Sequence, residues 1–362
     1  MKKVMLAAAL MSAGVIAHAQ SSVTLYGRID AGLEYMSGIP NATGGGSSSR
    51  FRAESGDWGT SLWGMKGVED IGGGNQVVFK LENGFNAMTG GLQSTLFNRW
   101  ATVGLSNENY GTFTMGRMLY ISNGVWDFDP FGQSSWSSAS LVRGRNWPQS
   151  SNNVAYQSPK WNGFDFYGQY SLSNDTNWNG NNAAGQGRED GLQLTYTNTL
   201  FQVRGIYDEI RNPANGTLNG TDGAFSYSRE YTAAANVFLG QFKLQGAYQA
   251  IRTSGAKGLG IGTPSSLDHE WGGVVWQATP ALAAIGAVYH VNGNNGAGNA
   301  TMYTIGGSYN LSKRTLLDIQ IASVHNSKNA NFSLEANGVS NPDNPLAGHS
   351  QSGVYAGIQH SF

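Results

Sequence analysis

The chain has 362 residues, of which 51 are glycine and none is cysteine, and its formal net charge is −1 at pH 7. The lack of cysteine excludes a disulfide scaffold and a thiolate-ligated metal site, and the near-neutral charge gives no reason to expect a nucleic-acid partner. A mean hydropathy of −0.31, with no long apolar segment beyond the N-terminus, excludes a helical membrane protein.

The N-terminus has the features of a secretory signal peptide. Lys2 and Lys3 precede an apolar run over residues 4–16, which is followed by Ala17-His18-Ala19. A basic start, a short apolar core and a small-x-small site form the cleavage signal, and the run is too short for a membrane-spanning helix, which needs about 20 residues. We therefore predict a cleaved signal peptide over residues 1–19 and one continuous mature domain over residues 20–362.

The first mature segment, residues 23–35, alternates with a period of two. Its odd positions, such as Leu25 and Leu33, are apolar or small, whereas its even positions include Arg28, Asp30 and Glu34. This alternation predicts a β-strand with one apolar and one charged face. A soluble β-sandwich could use the same pattern, so the rest of the chain has to decide the class.

Fifteen further segments are strand-like and adjoin turn residues, which makes sixteen predicted strands. These segments lie near 61–68, 76–86, 96–106, 111–118, 153–159, 164–172, 191–198, 201–209, 230–238, 241–251, 270–279, 281–290, 301–310, 315–325 and 352–362. Short turns at 70–75, 107–110 and 310–313 alternate with long polar loops at 37–56, 173–190, 210–229 and 252–269. Short periplasmic turns and long external loops are typical of a transmembrane β-barrel, which must close because lipid offers no partner for a free strand edge.

The segment of residues 117–152 is too long and irregular for a turn. It carries charged residues and tryptophans: Trp126, Asp127, Asp129, Trp136, Arg143, Arg145 and Trp147. Irregular backbone at membrane depth is tolerated where it lines a water-filled cavity. The segment is therefore predicted to fold into the barrel and narrow it, the alternative being an ordinary exposed loop.

The last strand alternates apolar and polar residues and ends on the aromatic Phe362. This C-terminal pattern resembles the signal that the outer-membrane assembly machinery reads. Together with the signal peptide it predicts export to the outer membrane of a Gram-negative cell.

Short motifs spread along the whole chain resemble the general porins of beta-proteobacteria. They are Ser21-Ser22-Val23-Thr24-Leu25-Tyr26-Gly27, Gly64-Met65-Lys66-Gly67-Val68-Glu69-Asp70-Ile71-Gly72, Leu81-Glu82-Asn83-Gly84-Phe85, Phe97-Asn98-Arg99, Val103-Gly104-Leu105-Ser106, Gly116-Arg117, Tyr156-Gln157-Ser158-Pro159 with Gly163-Phe164, and His360-Ser361-Phe362. The resemblance implies an all-β, sixteen-stranded antiparallel barrel whose third external loop folds inward. It also implies a homotrimer in contact with outer-membrane lipid and lipopolysaccharide, which passes small hydrophilic solutes and ions by passive diffusion.

The resemblance further implies a charged constriction. It places Asp127 and Asp129 on the loop side, and Arg28, Arg99 and either Arg143 or Arg145 on the wall side. For Arg28 the alternation of the first strand indicates the same face independently. Opposing charges at the narrowest point replace part of an ion's hydration, although each arginine could instead form a lumenal salt bridge with no effect on transport.

One position departs from the family pattern. Relatives often carry an arginine in the run that enters the second strand, where this chain has Leu62 within Ser61-Leu62-Trp63-Gly64. A cation of the expected set is missing there, so the pore is predicted to be only weakly ion-selective.

Other chemistry finds no motif in the chain. No two histidines have HExxH spacing, and the glycine runs 44–46 and 72–74 lack the lysine and helix of a phosphate loop. No motif selects a nucleophile and its base, so neither an enzyme, a metal site nor a cofactor is predicted. The alternatives are a carbohydrate-preferring porin, in which Trp126, Trp136 and Trp147 stack on sugars inside the lumen, and a structural or adhesive barrel.

Overall fold

A computed structural model of the chain describes residues 22–42, 44–171, 187–254 and 260–362. The predicted signal peptide and most of the predicted loop 173–190 lie outside the described residues. Within the described part, no helix is long and apolar enough to cross a membrane.

Within the part of the chain that the structure describes, seventeen antiparallel strand segments form one sheet. They are β1 (Ser22–Pro40), β2 (Ser47–Ser55), β3 (Leu62–Gly72), β4 (Asn75–Gly84), β5 (Trp100–Asn107), β6 (Gly111–Leu119), β7 (Gln149–Gln157), β8 (Phe164–Ser171), β9 (Glu189–Thr197), β10 (Phe201–Ile210), β11 (Arg229–Leu239), β12 (Phe242–Arg252), β13 (Ser266–Gln277), β14 (Leu282–Gly293), β15 (Gly298–Asn310), β16 (Thr315–Asn326) and β17 (Gln351–Ser361).

The seventeen segments make sixteen barrel strands because β2 and β3 are two parts of one strand. Both pair with β1, β2 through Ala31↔Ser55 and β3 through Arg28↔Leu62. On its other edge β1 pairs with β17, from Arg28↔Ser361 to Met36↔Gly353, which closes the sheet. The predicted sixteen-stranded antiparallel barrel is confirmed.

One predicted loop is wrong, since most of residues 37–56 is strand. β1 continues to Pro40, and β2 returns beside it from Ser47. The extension is held by ion pairs, in which Arg50 and Arg52 on β2 bind Glu34 on β1 at 3.0 and 3.1 Å. The alternation in β2 is short, with only Phe51 and Ala53 as apolar positions between Arg50, Arg52 and Glu54, so hydropathy alone did not reveal the strand.

The two faces of the barrel follow the period of two that the sequence predicts. On β1 the large side chains at odd positions are exposed, such as Val23 by 67% and Leu33 by 54%, whereas Asp30 and Glu34 are fully buried. An apolar face directed at lipid and a polar interior are what a membrane barrel requires.

The longest described connection, residues 120–148, runs between β6 and β7 and packs inside the barrel. It contains a 3₁₀ helix, Ile121–Phe128, and the short α-helix α1, Ser138–Leu141. Its apolar residues share a buried cluster with inward-facing residues of the wall: Val125, Phe131, Trp136 and Leu141 from the loop, and Trp271, Tyr289, Met302 and Tyr355 from the strands. The bend of residues 56–61 joins this cluster, because Trp58 lies edge-on to Phe131 at 6.3 Å between ring centroids.

Candidate pore constriction

The loop of residues 120–148 is fixed to the barrel wall by hydrogen bonds at several depths. The Tyr120 hydroxyl lies 2.8 Å from the backbone carbonyls of both Asp190 and Glu209, and these two acceptors share its single hydrogen. The Trp271 indole donates to the Phe128 carbonyl at 3.0 Å. These bonds give partners to the buried Tyr120 hydroxyl and Trp271 indole, and a buried donor left unpaired costs about 1–3 kcal/mol.

Asp129 belongs to this buried face of the loop. Its carboxylate accepts the Tyr289 hydroxyl at 2.6 Å and the backbone N–H groups of Phe131 and Ser138 at 2.9 and 2.8 Å. Burial raises the pKa of Asp129, and these donors oppose the rise. The prediction that Asp129 faces the wall arginines across the bore is therefore wrong, since three donors hold it against β14 and the loop itself.

Asp127, two residues earlier, lies on the opposite face. Its side chain is 62% exposed and forms an ion pair with Arg204 of β10 at 2.6 Å. Its backbone carbonyl accepts bonds from Gln245 at 3.0 Å and from Lys243 at 3.3 Å, both on β12. The structure thus places an accessible carboxylate beside two cations that the sequence reasoning missed.

Arg204 and Lys243 could have been found by the same alternation that selects Arg28. Each is a basic residue between two outward-facing neighbours, Val203 and Gly205 in one case and Phe242 and Leu244 in the other. A single cation inside an alternating apolar strand points into the barrel.

Arg28 extends from β1 to the loop. Its guanidinium donates to the Thr60 carbonyl at 2.7 Å and to the Gln133 side chain at 2.5 Å. Both acceptors are neutral. In addition, no carboxylate among the described residues forms an ion pair with Arg28 within 4.0 Å. Its positive charge is therefore compensated only at longer range, chiefly by Asp30 and Glu82.

Arg99 lies close enough to Arg28 for the two charges to repel each other. It is 5% exposed and donates to Glu82 at 2.7 Å. Glu82 also accepts the Tyr26 hydroxyl at 2.8 Å and pairs with Lys80 at 3.2 Å. One carboxylate is thus shared between two cations, and the sequence reasoning had assigned a role to neither Glu82 nor Lys80.

Leu62 occupies the position between these basic residues. It is the cross-strand partner of Arg28 on one side and of Gly84 on the other, and it is 9% exposed. The Arg99 side chain covers Gly84, with its Cδ 3.3 Å from where a β-carbon on that glycine would lie. Since directly opposed residues share a face of the sheet, Leu62 has the same inward orientation as Arg28.

The two loop arginines, Arg143 and Arg145, are both held away from Asp127. Arg145 is buried and pairs with Asp208 of β10 at 2.6 Å, and it also donates to Ser228. Arg143 lies toward the external loops, where it donates to the Asn331 side chain at 2.6 Å. The prediction that one of the two faces Asp127 from the wall is wrong, because both are held in contacts away from it.

The three loop tryptophans are not equivalent. Trp136 is fully buried against Gly353 of β17, so the prediction that it could stack on a solute is wrong. Trp126 and Trp147 are partly exposed, and Trp126 packs against the buried cluster.

Three carboxylates outside the constriction, those of Glu34, Glu54 and Glu335, lie close enough together to hold a cation. Arg52 forms ion pairs with all three. The guanidinium supplies the positive charge that a metal ion would bring, so this cluster is explained as an ion-pair network between β1, β2 and the loop before β17.

The closed barrel, its apolar outer face and its inner set of charges define an outer-membrane channel. The sequence profile described as Gram-negative porin matches residues 6–330. The chain is 33% identical over 364 residues to an outer membrane porin protein of Bordetella pertussis, which covers 88% of this chain and 92% of that protein. It is 29% identical over 377 residues to outer membrane porin protein 32 of Delftia acidovorans, across 100% of both chains.

Among solved structures, the anion-selective porin from Comamonas acidovorans superposes with a TM-score of 0.78 at 24% identity, covering 94% of this chain and 100% of that one. The chain belongs to the Gram-negative porin family. It is an outer-membrane protein that forms a channel for passive diffusion, which confirms the predicted family, function and location.

Proposed function

We propose that the channel passes small hydrophilic solutes with a moderate preference for anions, and that residues 120–148 form its constriction. The observation that carries the preference is that the cations around the loop of residues 120–148 outnumber the carboxylates in contact with them. The cations are Arg28, Arg99, Lys80, Arg204 and Lys243, whereas the carboxylates are Glu82, which pairs with Arg99 and Lys80, and Asp127, which pairs with Arg204.

The surplus acts on a passing ion because the lumen is narrow and only partly aqueous. At an effective dielectric constant of about 20, a unit charge about 6 Å away contributes about 3 kcal/mol before screening. Salt at physiological strength has a Debye length of about 8 Å and reduces this energy without removing it. Further buried carboxylates lie within the wall, among them Asp30 and Asp318, and Asp30 offsets part of the charge of Arg28.

The test is the reversal potential of the purified protein in a planar bilayer under a potassium chloride gradient. A moderate anion preference is expected, and Lys243→Gln should reduce it. Lys313→Gln is the matched control, since Lys313 is exposed in the turn between β15 and β16 and outside the barrel interior. A cation-selective native channel would contradict the proposal, as would equal shifts in both variants.

A homotrimer is part of this proposal, and the outer surface supports it. Strands β16, β17 and β1 present aliphatic side chains in their middle portions, such as Ile319, Ile358 and Ile29. On the far side, aromatic rings such as Phe164 and Tyr207 border the apolar band, as expected where a barrel faces lipid headgroups. We therefore assign β16, β17 and β1 to subunit contacts and the aromatic side to lipid and lipopolysaccharide. The native mass of detergent-extracted protein should be that of three chains, and a monomer with an open pore would contradict the trimer.

Export and assembly complete the proposal. Cleavage after Ala19 would leave Gln20 as the first residue, which the intact mass of outer-membrane material tests. Phe362 is exposed and pairs with Gly27 through both backbone groups, at 3.0 and 3.2 Å. Its ring packs over Gly27 and stays 43% exposed. This ring is the feature offered to the assembly machinery, and Phe362→Ala should lower the yield of folded barrel.

The alternatives have less support. A carbohydrate-preferring channel needs accessible lumenal rings, and Trp136 is buried. Saturable block by a sugar would favour that function, whereas absence of conductance would favour an adhesive barrel. We propose no catalytic activity for the chain.

A further inference from the structure

A cavity of about 270 Å³ lies where four external loops meet the inner loop. Its walls include Arg143 from the loop 120–148, Asp222 and Phe225 from the loop before β11, and Asn331 and Phe332 from the loop before β17. Its volume is just below the 300–1,000 Å³ of typical small-molecule sites. None of the pore contacts described above uses this cavity.

Arg143 provides a cation with unused donors. Its guanidinium is packed between the rings of Phe225 and Phe332, at 5.3 and 4.8 Å from their centroids. Its one short hydrogen bond is to Asn331, while the contacts of its terminal nitrogens with two backbone carbonyls measure 3.4 and 3.5 Å. Its Nε is buried without an acceptor among the described residues. A guanidinium has five N–H donors in a planar fork that matches a carboxylate.

The local backbone holds the side chain in this position. Arg143 has a φ of 52°, a left-handed conformation that is uncommon for a residue with a β-carbon. Burial lowers the pKa of Arg143 to about 10, and Asp222 opposes this change. The group therefore stays charged at neutral pH while it lacks the ion pair that usually accompanies a buried charge.

Asp222 supplies a carboxylate on the same cavity. It accepts the Ser226 hydroxyl, and no cation of the described residues lies within 4.0 Å of it. Arg143 and Asp222 are near enough to interact electrostatically but do not form an ion pair. Among the described residues, the cavity thus has one positive and one negative group, each without an opposite charge in contact, together with apolar surface from Phe225, Phe332 and Pro264.

We propose that this cavity binds a small zwitterion, an α-amino acid with an apolar side chain. The solute carboxylate accepts from the terminal nitrogens of Arg143, whose carbonyl contacts are long. The ammonium group pairs with Asp222, and the side chain packs against the phenylalanine rings. Each solute charge then meets the opposite charge of the protein, which a neutral sugar or a simple anion does not achieve. The site goes beyond the diffusion channel, because it gives the external end of the protein a selective contact with one class of solute.

Calorimetric titration of the detergent-solubilised full chain tests the proposal. The probes are L-leucine, 4-methylpentanoate, which keeps the carboxylate and lacks the ammonium group, and glucose. L-leucine should bind, 4-methylpentanoate at least tenfold more weakly, and glucose not detectably. Asp222→Asn should weaken leucine at least tenfold and leave 4-methylpentanoate unchanged, while Arg143→Lys should weaken both.

The matched control is Lys313→Gln, which removes a distant exposed cation and should leave all affinities unchanged. Asp222→Asn keeps the shape of a partly exposed side chain, so the test does not depend on Arg143 variants alone. Absence of leucine binding by the native protein would overturn the proposal, as would equal affinities of the native protein and Asp222→Asn. Conductance of the same preparation distinguishes a wrong site from a failed channel.

Discussion

The loop of residues 120–148 has charged residues on two faces, and these residues are buried on one face and exposed on the other. On the wall face, Asp129 and Arg145 are buried and each has specific partners on the strands. On the bore face, Asp127 is largely exposed beside Arg204. A charge in this loop therefore either fastens the loop to the barrel or acts on a passing ion. Asp127 and Asp129 differ in this way although they are only two positions apart.

The largest expected loss of stability comes from a substitution on the wall face of the loop. Arg145→Ala removes the partner of Asp208 inside the barrel and should cost about 3–5 kcal/mol, since a buried charge is left uncompensated. Asp127→Asn is the control, because this side chain is 62% exposed and its amide oxygen still accepts from Arg204, so the loss should be below about 1 kcal/mol. Denaturant unfolding of both variants measures the difference. Equal losses of unfolding free energy would contradict the distinction between the wall face and the bore face.

Trp136→Ala should have the next largest effect. The side chain is fully buried against β17, and truncation of a buried aromatic costs about 3–5 kcal/mol. Trp147→Ala, at a half-buried ring, should cost clearly less. Protease cleavage within residues 120–148 should accelerate only in the first variant, and comparable cleavage of both would contradict the packing described here.

Leu62→Arg should change the ion selectivity of the channel. A third guanidinium between Arg28 and Arg99 should raise the ratio of anion to cation permeability about fivefold, the effect of about 1 kcal/mol left after screening. The shift should shrink as salt is raised. An unchanged reversal potential with the barrel intact would show that position 62 does not act on the passing ions.

The smallest expected effect concerns pH. Asp57, in the bend between β2 and β3, is buried beside Ser135 of the loop, and burial raises its pKa well above the usual range, with Glu34 and Glu335 adding to the rise. A raised folded-state pKa gives stability that is complete below the unfolded value of about 3.9 and is lost as the pH rises through the folded-state pKa. Hydrogen exchange of residues 120–148, corrected for intrinsic rates, should therefore be slower at pH 5 than at pH 7. Asp57→Asn should flatten this dependence, and faster exchange at the lower pH would be the contrary result.

The sequence predicted the barrel better than it predicted the constriction. Strand alternation depends on neighbours in the chain, so the inward direction of Arg28 and Asp30 could be read directly. The partners of a loop residue depend on distant strands, so Asp127 and Asp129 could not be separated before the loop was in place. The ion-paired strand β2 was missed because its alternation covers only residues 50–54, with Phe51 and Ala53 as the apolar positions. Arg204 and Lys243 lie in longer alternating strands, and that signal had not been used.

Cysteine accessibility tests the two-faced loop most directly, because the native chain has no cysteine. Asp127→Cys and Ala139→Cys place one thiol on each face, the second at a site that is fully buried. A negatively charged, membrane-impermeant thiol reagent added to the open channel should rapidly reduce the anion current of the first variant and leave the second unchanged. Equal rates of modification, or faster modification at position 139, would contradict the assignment of the bore and wall faces.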